Sequence, residues 1–162
     1  MGEDQVGWLQ DLNDDDAALV RVFRNAAVAL GHDSDEHRDA AVAGLDRLAP
    51  TPERYAVGRS FWALMSTIAS GARRQIRYHA PQCPCLGEDE VAFLSVCEHL
   101  RNGERAQATA CANLLVNGEA AGRLVHHAAT VARCCRPLAG TPANGGPGQL
   151  TMAARTGDAR LH

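Results

Sequence analysis

The chain has 162 residues, 46% of them apolar but only 4% aromatic, which is enough for one core and favours close helix packing over a sheet. Its formal charge is −3 and all 16 basic residues are arginine, which excludes lysine Schiff-base and phosphate-loop chemistry. The same balance leaves the whole chain no electrostatic footprint for nucleic acid or an anionic membrane.

The start, Met1-Gly2-Glu3-Asp4, is acidic and no apolar run follows it, so no secretory signal is expected. No stretch approaches the roughly 20 apolar residues that cross a bilayer. The expectation is a cytoplasmic protein whose six cysteines are reduced thiols, core residues or metal ligands rather than a disulfide framework.

Residues 1–12 read as an N-terminal arm carrying Trp8, Leu9 and Leu12. A first helix follows, capped by Asn13, with Asp14, Asp15 and Asp16 at the positive end of its dipole. Its apolar stripe is Leu19, Val20, Phe23, Ala27 and Leu30, and Gly31 ends it. Ser34 caps a second helix with Ala41, Val42, Leu45 and Leu48 inward; His32 and His37 flank its start as solvated turn residues.

Thr51-Pro52-Glu53 opens a long central helix, with Val57, Phe61, Leu64, Met65, Ile68, Ala72 and Ile76 recurring at helical steps. Gly58 and Gly71 are expected where that helix meets a neighbour closely, and Arg73, Arg74 and Arg77 in its last turns. After a loop, three helices are expected. One starts at Gly87-Glu88-Asp89-Glu90 with Val91, Phe93, Leu94, Cys97 and Leu100 inward. The next runs from Glu104 to Val116, and the last from Glu119 to about Arg136. Asn-Gly-Glu recurs at 102 and 117 as a helix-to-helix turn signal. The expected architecture is all-α: a single-domain bundle of five or six helices over 13–137, with a flexible tail over 138–162.

The loop between the halves, Tyr78 to Glu90, carries the chemistry. His79, Cys83 and Cys85 crowd together there between Pro81 and Pro84, which stiffen the backbone and lower the entropy of presenting ligands. One residue between two cysteines is shorter than the usual zinc spacing, so further ligands must come from elsewhere, and the last helix offers His127, Cys134 and Cys135 beside His126. Zinc is the expected ion, with Cu(I), an iron-sulfur centre and haem ligation through Cys83-Pro84 as alternatives. Cys97 and Cys111 fall on apolar stripes and read as packing residues. Glu88, Asp89 and Glu90 oppose a thiolate at Cys85, so no unusually acidic cysteine is expected.

These features point to a metal-binding helical protein with a structural or regulatory role. A metal-free helical module that binds another protein is the second expectation. A helix-turn-helix DNA-binding regulator, with Arg105, Gln107, Thr109 and Asn113 in a groove, is the third. No nucleophile motif, phosphate loop or zinc-protease pattern points to an enzyme.

Overall fold

The structure, a computed structural model, describes residues 5–135. The tail expected over 138–162 lies outside the described residues. Six α-helices form a bundle: α1 Asp14–His32, α2 Asp35–Leu48, α3 Arg54–Gly71, α4 Glu88–Arg101, α5 Arg105–Leu115 and α6 Gly118–Cys134. Two short strands, β1 Gln5–Trp8 and β2 Cys85–Gly87, pair antiparallel. The sheet was not expected, and it clips the N-terminal arm onto the central loop.

Local signals set most helix starts. The side chains of Asn13, Ser34 and Asn117 each accept a hydrogen bond from a backbone N–H in the first turn of α1, α2 and α6. Thr51-Pro52-Glu53 forms a 3-10 turn leading into α3. Asp33, in the left-handed region at φ 49°, closes α1 two residues beyond Gly31.

α1 packs most extensively on α2, α3 on α6, and α4 on α5 and α6. The main core joins Phe23, Phe61, Leu64, Phe93, Leu115 and Leu124, all fully buried, and Phe23 stacks on Phe93 with ring centroids 4.8 Å apart. Cys97 lies in this core, as its stripe position implies, while Cys111 packs against it half-buried. A satellite cluster of Leu9, Val20 and Leu86 lies under the sheet. Leu30 and Val42, expected inward, are exposed.

The central helix is shorter than its apolar period suggested. It stops at Gly71, and Ala72 instead bridges to Val116 while Asn117 N–H donates to the Gly71 carbonyl at 2.8 Å. Gly71 is where α3 meets α6: a Cβ there would sit 2.5 Å from Ala120 Cβ. Gly58 makes no such approach, with nothing within 4 Å of its Cβ direction. Arg73, Arg74 and Arg77 therefore lie in the loop beyond α3 rather than in its last turns.

Candidate functional site: a thiol pair on a buttressed loop

The loop from Ala72 to Pro84 has little regular structure of its own, and it is held from the interior by one buried arginine and two buried carboxylates. Arg24, in the middle of α1, is fully buried. Its Nε donates to Glu90 Oε1 at 2.7 Å and its Nη2 to Glu90 Oε2 at 2.8 Å, a bidentate pair with both side chains at 0% exposure. The remaining guanidinium donors reach the loop backbone: Nη1 donates to the carbonyls of Cys83 at 2.6 Å and Ala80 at 3.3 Å, and Nη2 to the carbonyl of Cys85.

Glu90 is equally occupied. Its carboxylate also accepts the backbone N–H of His79 at 2.9 Å and of Gly87 at 2.9 Å. Burial alone would push the Glu90 carboxyl up; the Arg24 guanidinium and the two N–H donors outweigh it and hold the group below its ordinary range. A buried charge pair is tolerable only when so completely hydrogen-bonded.

Asp89 makes a second clamp. It is buried, receives Arg74 bidentately at 2.8 and 2.7 Å, and accepts the Arg77 backbone N–H at 2.7 Å. Two members of the acidic run that opens α4 thus hold the loop, a larger role than partnering the helix dipole.

The loop turns where its prolines dictate. Cys83 N–H donates to the Ala80 carbonyl at 2.9 Å across Pro81-Gln82, which puts proline at the second position of a tight turn. The Pro84 carbonyl then accepts Leu9 N–H at 2.8 Å, joining the loop to the arm.

Side chains of β2 alternate between faces. Leu86 points into the satellite core, with Gly7 against it. Cys85 and Gly87 belong to the outer face, where the His79 ring lies against Gly87: a Cβ at Gly87 would be 3.4 Å from His79 Cδ2 and Nε2. Trp8 is the cross-strand partner of Cys85 and is 43% exposed. Interaction with the neighbouring Cys83 thiol, followed by burial, pushes the Cys85 thiol above its ordinary pKa, against the pull of Arg24. Neither effect makes an unusually acidic cysteine.

Of the residues singled out from the sequence, Cys83 and Cys85 lie on either side of Pro84 where the loop enters β2, both half-buried. The His79 ring lies against Gly87, two residues along β2 from Cys85, and borders an open cleft of about 620 Å³ lined also by Gln75, Ile76, Arg77 and Tyr78. His127, Cys134 and Cys135, all on or just after α6, do not join them. Among the described residues no group of three or more His, Cys, Asp or Glu side chains converges as a metal-binding set.

Cys135 is buried, its carbonyl accepting from Arg101 Nη2 at 3.1 Å. Burial, with Cys134 beside it, pushes its thiol up to about 11, and burial pushes Cys97 up to about 12, so both stay protonated at neutral pH. His126 and His127 meet edge-to-face at 5.2 Å, and burial with the His126 charge lowers the His127 pKa.

Arg24 and Glu90 are the site residues that sequence reasoning missed. The available signal was an arginine four residues after Val20 and three before Ala27, on the apolar side of α1.

No family model, curated protein or solved structure matches this chain. Among the described residues, no helix is long and apolar enough to cross a membrane.

Proposed function

We propose that this protein binds a thiophilic cation, zinc first among them, through Cys83 and Cys85, and that the role is regulatory. The observation that supports this is that two cysteines one residue apart sit on a loop whose carbonyls at Cys83 and Cys85 are both gripped by the buried Arg24. Such a loop presents its donors with little entropy left to lose on binding. The Arg24–Glu90 pair holds the loop by protein contacts alone, so the metal is an occupant of the fold rather than its keystone. Two thiolates also suit Cu(I), which takes fewer soft ligands than zinc. Metal analysis of protein purified without an affinity tag tests the reading: wild type carries zinc and a Cys83→Ser/Cys85→Ser variant does not, and equal emptiness of both would overturn it.

A second reading, a metal-free module that binds another protein, draws on a different surface. A groove of about 630 Å³ between α2 and α3 is lined by Val42, Leu45, Tyr55, Arg59 and Trp62, with Tyr55 78% exposed and the Arg59 guanidinium 5.8 Å from its ring centroid. An amphipathic helix is the partner such a groove suits. For the DNA-binding reading, Arg105 and Gln107 are exposed on α5, but Thr109 and Asn113 are hydrogen-bonded to carbonyls of their own helix.

A further inference from the structure

The apolar groove between α2 and α3 has walls of opposite charge. Asp46 lines it on α2, and Arg54 and Arg59 line the same stretch on α3, all three exposed. Among the described residues Asp46 pairs with neither arginine, and the groove stays open between them. Its apolar surface is uncovered, with Val42 42% and Tyr55 78% exposed. Gly58 forms part of the floor, and nothing lies within 4 Å of the direction a Cβ would take there. No contact inside the chain therefore accounts for a residue that costs a helix about 1 kcal/mol relative to alanine.

Resting on the groove reading above, we propose that the occupant is a second copy of this chain. The two copies meet groove to groove about a two-fold axis that runs along the groove. That axis sets α2 of each copy on α3 of the other and keeps every residue at its own height along the groove. Asp46 of each copy then faces Arg54 and Arg59 of the other, so the charges pair twice over. An axis across the helices would instead set α2 on α2 and α3 on α3, like charge towards like. Charge thus selects one arrangement. In it Val42 of each copy lies over the other's Gly58, where the missing side chain leaves room, and Tyr55 of each is covered by the other's α2. Helix α2 has 14 residues, about 21 Å of helix, so the two-helix face is small against the roughly 1,200–2,000 Å² of a stable interface. The dimer is accordingly weak and forms with rising concentration. The contact uses no metal.

The test is sedimentation equilibrium of the reduced full chain in chelator, from micromolar to millimolar. A Trp8→Phe background leaves Trp62, in the groove, the only tryptophan of the two in the chain. A mass rising towards two chains, with a blue shift of Trp62 emission, is expected. Asp46→Arg alone and Arg54→Glu/Arg59→Glu alone, each checked for an unchanged helical melt, stay monomeric because like charges then meet. Mixed in equal amounts, the two variants dimerise again, since α2 of each then meets the opposite charge on α3 of the other. A single-chain mass up to millimolar would overturn the second copy and leave the groove reading standing. A dimer that neither variant breaks, with Trp62 emission unshifted, would overturn both, since other surface then does the binding. Loss of the dimer in each variant without recovery in the mixture would overturn the two-fold arrangement.

Discussion

Arg24 and Glu90 lie 66 residues apart in sequence and 2.7 Å apart in space, each fully buried and each with its remaining hydrogen-bonding capacity turned to the loop between α3 and α4. Helix α1, the entry to α4 and the thiol loop are thereby joined by one charge pair, with Asp89 and Arg74 as a second tie between α4 and the loop and Asp16 and Arg101, 2.7 Å apart, as a second tie between α1 and α4. Losing Arg24 or Glu90 strands the other in the interior.

Arg24→Met is expected to cost about 3–5 kcal/mol, because it leaves the Glu90 charge unpaired and also removes the donor to three carbonyls. Glu90→Gln is expected to cost less, about 2–3 kcal/mol, since the guanidinium keeps its carbonyl acceptors. Urea unfolding of the two variants checks the order, and a smaller loss for Arg24→Met than for Glu90→Gln would contradict it.

Acid should weaken the protein through the same carboxylate. Glu90 is held below its ordinary pKa in the fold, so the unfolded chain takes up the proton more readily. The stabilisation is complete above the unfolded carboxylate range and is lost as pH falls through the lowered folded value. Denaturation midpoints between neutral and acidic pH should fall less steeply in Glu90→Gln than in wild type.

Two glycines of α3 should respond oppositely to alanine. Gly58→Ala meets open space and is expected to stabilise by about 0.5–1 kcal/mol through helix propensity. Gly71→Ala places a Cβ 2.5 Å from Ala120 Cβ, and separating α3 from α6 is expected to cost about 1–3 kcal/mol. Thermal melts of the pair give the signs directly.

Zinc binding should strengthen as pH rises. Cys83 contact and burial keep the Cys85 thiol protonated beyond its ordinary pKa, and a thiol must lose its proton to ligate. Apparent affinity is therefore expected to climb steadily from slightly acidic to slightly alkaline buffer, and a flat profile in competition titrations would contradict thiolate ligation.

What the sequence made legible was local. Caps at Asn13, Ser34 and Asn117 need only their own first turn, and the six helices follow from apolar period and such punctuation. The end of α3 was hidden because Ile76 continues the helical period beyond Gly71, and only the approach of Ala120 and the bridge from Ala72 to Val116 reveal the stop. The sheet was hidden too, since β1 is four residues with a glycine and gains its order from the loop it pairs with. The thiol pair was visible as a spacing. Its support was not, because Glu88-Asp89-Glu90 satisfies a helix-start rule so well that nothing local points to the buried partnerships of Asp89 and Glu90 with Arg74 and Arg24.

The thiol pair is tested most directly by calorimetric titration of zinc into reduced wild-type protein and into the Cys83→Ser/Cys85→Ser variant. Saturable, proton-releasing binding in the wild type and its loss in the variant are expected. Equal heats from both proteins, or none from either, would contradict a cation site at Cys83 and Cys85.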